Sequence, residues 1–159
     1  MKKPRETKEI LIATDGSAGA HVAVEEGVWL AKMLGAKAVF VAVARPPLPV
    51  LGDPYYQRAL SADLEKARGA IAAAIPAAEE RGVPYETEIV EGTPAEAIRE
   101  LAHARDVDLI VVGSRGRGAV AGALLGSVSV DVVHRTDRPV LVARPRALAQ
   151  QRRRLRAAV

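Results

Sequence analysis

Cysteine is absent from all 159 residues. That removes thiolate zinc sites, thiol nucleophiles and disulfide frameworks together, and it fits a reducing compartment. Aromatic residues make up only 3% of the chain, so the stacking platform that single-stranded nucleic acid needs is missing. No glycine is followed by lysine, which excludes a Walker P-loop. Long hydrophobic runs are missing too: Ala38 to Ala44 and Leu109 to Val112 fall far short of the roughly 20 residues of a membrane-spanning helix. The charged stretch Met1 to Glu9 lacks the apolar core and small-residue cleavage site of an export signal. A cytoplasmic protein with no membrane attachment is expected.

What is present suffices for one domain. Hydrophobic residues make up 49% of the chain, enough at this length to bury a core without disulfides or a structural metal. The net charge is +4, but it is unevenly placed. Arg144, Arg146, Arg152, Arg153, Arg154 and Arg156 all lie beyond the last acid, Asp137, which leaves 17 cations against 19 acids in residues 1 to 143. The chain therefore reads as a domain over residues 1 to 144 with a basic extension over 145 to 159. The extension reads as a solubilising tail or a short amphipathic helix, and a role in binding nucleic acid or another anionic surface is the less favoured alternative.

The order of elements follows from periodicity and punctuation. Glu9 to Thr14 is a short apolar strand ending at Asp15-Gly16-Ser17, and Ala18 to Leu34 has helical spacing, with Ser17 as N-cap and Gly35 as stop. Lys37 to Ala44 is a β-branched-rich strand. Arg45 to Pro54, with four prolines, is a loop. Tyr55 to Glu80 is helical, and Pro76 is expected to kink or end it unless it opens a second helix. Pro84 to Val90 alternates weakly, as an edge strand does. Pro94 to Arg105 is a helix opened by Thr93, Asp108 to Val112 a fully apolar strand, Ser127 to His134 a helix and Pro139 to Ala143 the last strand. Strands alternating with helices predict an α/β fold: an open, doubly wound, five-stranded parallel sheet of order 3-2-1-4-5 with helices on both faces. In such sheets ligands bind beyond the carboxyl ends of the strands at the switch point, here between strands 1 and 4. The two most unusual loops, Asp15-Gly16-Ser17 and the stretch from Gly113, meet there.

The second loop carries the chemistry. Gly113-Ser114-Arg115-Gly116, nine residues, then Gly126-Ser127 places glycines at a strand end, a turn and a helix start. Glycine tolerates positive φ and lets backbone N–H groups approach phosphate oxygens. The helix starting near Ser127 adds free N–H groups and a partial positive charge, and Ser127 and Ser129 add hydroxyls.

At this point the chain resembles the universal stress protein family, whose ATP-binding members carry G-x-x-G, nine residues, G-[ST]. The match extends to Ile10-Leu11-Ile12-Ala13-Thr14-Asp15-Gly16-Ser17, to Asp108-Leu109-Ile110-Val111-Val112-Gly113 and to Arg138-Pro139-Val140-Leu141-Val142. The resemblance implies a stress-response regulatory module that binds ATP with Mg²⁺ or Mn²⁺ and forms a homodimer through its last strand. By position, Ala13, Thr14 and Asp15 meet the nucleoside and Val43 lines the adenine pocket through its backbone. Gly113, Ser114, Arg115, Gly116, Arg117 and Gly118, with Gly126, Ser127, Val128 and Ser129, hold ribose and phosphates. Family members often have proline where Ala13 stands. The apolar last strand, unpaired at a sheet edge, independently argues for a dimer.

Other readings stand beside these. Asp15 is either a turn-former or a nucleotide or metal contact, and Ser127 and Ser129 are helix caps or phosphate donors. Arg115 and Arg117 are solvated charges or phosphate neutralisers. His21, His103 and His134 fall on three different helices without ligand spacing and read as surface or packing residues. Gly116 to Ala121 fits G-x-G-x-x-A, but that dinucleotide fingerprint belongs after a first strand. Slow ATP hydrolysis is the second reading, weakened because no catalytic histidine or paired carboxylate converges on the loop.

Overall fold

Strand β1 (Glu9–Ala13) forms the middle of the sheet because every residue between its ends is apolar and fully buried. A computed structural model describes residues 7–117 and 125–145 of the chain. Around β1 lie β2 (Lys37–Ala44), β3 (Tyr85–Glu91), β4 (Leu109–Gly113) and β5 (Val140–Ala143), all parallel, in the order β3-β2-β1-β4-β5. Leu11 stands level with Val39 on one side and Ile110 on the other.

Alternation along the strands divides the core in two. Ile10, Ile12, Phe40 and Val111 face helices α1 (Ala18–Leu34) and α2 (Tyr55–Arg81). Leu11, Val39, Val41, Ile110 and Val112 face α3 (Pro94–Ala104) and α4 (Ser127–Arg135). Both faces are thus covered, as a parallel sheet requires, and the predicted order and layering are the observed ones.

Local signals held at most helix ends. The Ser17 hydroxyl accepts from Ala20 N–H at 3.2 Å, and Gly35 closes α1 in the left-handed conformation. Thr93 occupies the N-cap of α3 without a side-chain hydrogen bond. Pro76 does not end the helix, since α2 runs through it to Arg81. One lost hydrogen bond and a ring clash cost about 3 kcal/mol, but Ala74, Ala77 and Ala78 around it are buried against the sheet, and their burial keeps the helix in place. The proline-rich loop contains one 3₁₀ turn, Pro49–Leu51. Among the described residues no helix is long and apolar enough to cross a membrane.

Candidate functional site

Because β1 and β4 are neighbours, their carboxyl ends deliver the two unusual loops to one place. The approach is close. A Cβ on Gly113 would lie 2.5 Å from the carbonyl oxygen of Gly19 in the first turn of α1, so β4 and α1 meet backbone to backbone. Beyond them, Ser114 N–H donates to Ala143 O at 2.8 Å and Gly126 N–H donates to Ser114 O at 2.6 Å. These bonds fix both ends of the glycine-rich loop against the sheet.

Asp15 ties the loops together. Its Oδ1 accepts from Ser17 N–H and its Oδ2 from Arg117 N–H, both at 2.9 Å. A Cβ on Gly116 would sit 2.9 Å from that Oδ2, so only glycine lets the loop come this near. Burial opposes ionisation of Asp15. The hydrogen bonds from Ser17 and Arg117 and the Arg117 charge outweigh it and hold the carboxyl below its ordinary value of 3.8.

Of the roles expected of the glycines, positive φ is not used at Gly113, Gly116 or Gly126, while the missing Cβ matters at two of them. Gly126 is the exception among these three: at φ −76° and ψ 158°, a Cβ there meets nothing nearer than 3.5 Å.

These loops wall a cavity of about 380 Å³. Of the residues predicted from sequence, Ala13, Thr14, Asp15, Val43, Gly113, Arg115, Gly116, Arg117, Gly126, Ser127, Val128 and Ser129 line it. Ser114 is buried behind the wall, and Gly118 lies outside the described residues. Ser129 is also largely withdrawn, at 2% exposure, with its hydroxyl donating to Gly126 O at 2.8 Å. Ser127 is exposed at the opening turn of α4, where the cap residue offers no side-chain acceptor to the first N–H groups. None of the three histidines lines the cavity, and all are exposed.

The sequence reading missed the wall opposite, formed by Arg45 after β2 and by Asp63, Lys66, Ala67 and Ala70 of α2. Asp63 holds this corner. Its carboxylate accepts from Arg45 N–H at 2.7 Å and from Lys66 Nζ at 3.3 Å, and the Arg45 hydrogen bond draws its pKa down. The signal was available: 63, 66, 67 and 70 share one helical face, and the two alanines there leave room where larger side chains would fill it. Around the cavity Arg45, Lys66, Arg115 and Arg117 face two carboxylates, Asp15 and Asp63. Among the described residues no group of three or more His, Asp or Glu side chains could hold a metal by itself.

Comparison with known proteins decides the family. The model of the universal stress protein family matches residues 6–144. The chain belongs to that family. It is 40% identical over 138 residues to a Thermus aquaticus universal stress protein encoded in the 3′ region of the QAH/OAS sulfhydrylase, covering 86% of this chain and 98% of that one. The structure of the universal stress protein UspA from Lactobacillus plantarum superposes with a TM-score of 0.80 at 27% identity, covering 89% of this chain and 100% of that one. A universal stress protein solved in complex with cAMP superposes with a TM-score of 0.68, also at 27% identity, over 87% and 98% of the two chains.

Proposed function

We propose that this universal stress protein binds ATP in the cavity between the two loops and acts as a nucleotide-responsive regulatory module of the cytoplasm. The observation that carries the reading is the composition of the cavity wall. A glycine-spaced loop, an uncapped helix N-terminus and four cations converge on one volume whose carboxylates are already hydrogen-bonded. Such a wall favours an anion that brings several oxygens. The related protein bound to cAMP supports the adenine part of the reading.

In this reading the free first-turn N–H groups of α4 and the Ser127 hydroxyl bind phosphate oxygens, and Arg115 and Arg117 neutralise their charge. The far wall, from Val41 to Val43, takes the base. Mg²⁺ fits the donor chemistry: it needs only one or two carboxylates beside phosphate oxygens and water, and Asp15, kept ionised by its hydrogen bonds, supplies one. The reading is of binding before turnover, because no histidine lines the cavity to act as a general base. Binding alone shifts loop populations if the two loop states differ in affinity. A homodimer through β5 completes the proposal, since Val140, Leu141 and Val142 are only half-buried at that edge.

Thermal unfolding with ATP, AMP, cyclic AMP and GTP in turn tests the ligand. A ligand at 100 times its Kd stabilises by about 2.7 kcal/mol. ATP should raise the melting temperature most; a shift equal for GTP would contradict adenine recognition. Light scattering tests the dimer: twice the chain mass is expected, and the monomer mass would rule it out.

A further inference from the structure

The cavity crosses the carboxyl edge of the sheet, and its two sides differ in character. Toward α3 and α4 the wall is apolar: Val41, Val43, Ile98, Val112 and Val128 line it and belong to that half of the core. Toward α1 and α2 it is small and charged, with Asp63, Lys66 and Arg117 beside the buried alanines Ala67 and Ala70. The first turn of α4, with Ser127 and Val128, belongs to the apolar side. A base and the phosphate nearest its ribose are thus served on one side of the edge, and the room for further phosphates lies toward the other.

Two cations meet on that second side. Arg117 leaves the glycine-rich loop and crosses to α2: a Cβ added at Gly16 would lie 3.3 Å from Arg117 Nη2 and 3.5 Å from the Ala70 Cβ. Gly16, at φ 75°, leaves open the gap in which they meet. Lys66 lies one helical turn before Ala70, on the same face of α2. Its ammonium pairs with Asp63 Oδ1 at 3.3 Å, and the other Asp63 oxygen accepts from Arg45 N–H at 2.7 Å. Asp63 thus ties α2 to the end of β2 and fixes where Lys66 enters the cavity. An ammonium has three N–H donors, so the bond to Asp63 leaves two for a ligand. The lysine side chain is 59% exposed, and an exposed pair of this kind contributes little to the fold.

We propose that Lys66 makes this site prefer a nucleoside triphosphate over a monophosphate, binding the terminal phosphates together with Arg117 while Asp63 holds it in place. On the nucleotide reading above, on which this rests, the first turn of α4 and Ser127 take the phosphate nearest the ribose. The two cations on either side of the Gly16 gap then take the charge that AMP lacks. Lysine suits this task, because a compact ammonium on a flexible stem meets a phosphate as a point charge and follows the end of a flexible chain. The two alanines beside it, Ala67 and Ala70, leave the space that the chain occupies.

Calorimetric affinities for ATP and AMP test this, measured on the full chain without added metal so that only the protein's own cations meet the phosphates. The parent chain should bind ATP more tightly than AMP. Lys66→Met should lower the ratio of the two affinities about tenfold, the scale of one hydrogen bond to a charged group, and Lys66→Arg should keep most of it. Lys32→Met removes the same charge in the last turn of α1, away from the cavity, and should leave the ratio unchanged. Thermal melting without ligand checks that each variant is folded. Equal affinities in the parent, a ratio that survives Lys66→Met, or one that falls as far in Lys32→Met would overturn the proposal and leave the nucleotide reading in place. If neither nucleotide gives heat with the parent chain, the nucleotide reading itself fails and the proposal falls with it.

Discussion

Asp15 commits one oxygen to each of the two loops that form the cavity, and this defines what acid should do. Its folded-state pKa lies below the unfolded value. The tie is therefore fully present above the unfolded aspartate pKa, near 3.9, and is lost as pH falls through the depressed folded value. Asp15→Asn should weaken this acid-side dependence, seen as a flatter decline of the unfolding midpoint below about pH 4. The glycines separate two kinds of loss. Gly113→Ala drives a methyl into the Gly19 backbone and should destabilise the fold by about 1 to 3 kcal/mol in urea titrations. Gly126→Ala has room in the protein and an ordinary extended backbone, so stability should stay within about 0.5 kcal/mol of the parent. Its nucleotide affinity should fall about tenfold, or 1.4 kcal/mol, because the methyl occupies ligand space. A Gly126→Ala protein with unchanged affinity would mean that the nucleotide does not approach this glycine.

At the scale of elements, α2 shows why local signals misjudge a boundary. Pro76 alone argues for a break, yet the helix is held on both sides of it by alanines packed on the sheet. Pro76 is itself exposed, so Pro76→Ala restores a backbone donor without opening a cavity. It should raise stability by about 1 to 3 kcal/mol, measured by urea unfolding. A decrease would show that the helix depends on the proline ring. The same helix explains what sequence left hidden in the site. The glycine loop was visible because its residue types are rare at that spacing, but Asp63, Lys66, Ala67 and Ala70 look like any amphipathic helix. They belong to the cavity only because α2 crosses over the end of β2, a tertiary fact that periodicity does not encode. The glycine roles were likewise half legible: sequence says where Cβ is missing, and only the packed chain says that the reason is a carbonyl or a carboxylate at contact distance.

Across the whole molecule, opposite ends of the sheet do different work. The carboxyl ends hold the cavity, while the amino ends are joined by Arg105, which donates to Glu9 at 2.6 Å, Glu88 at 2.8 Å and Glu86, with Lys37 pairing Glu9 and Glu86. This network links β1, β2 and β3 to the end of α3, and the Glu9 carboxylate is the foremost of the groups that hold the Arg105 charge in place. Arg105→Ala should lower the melting temperature, by a margin that shrinks in high salt, without changing nucleotide affinity. The overall architecture was readable in advance because alternating burial, strand count and helix signals all point to one topology. The account's central claim is that the cavity between the two loops holds ATP, and calorimetric titration with Mg-ATP tests it most directly. One ligand per chain, weakened by Gly126→Ala, is the predicted result. No heat at about 100 µM protein, where a binding free energy of about −5.5 kcal/mol already registers, would contradict it.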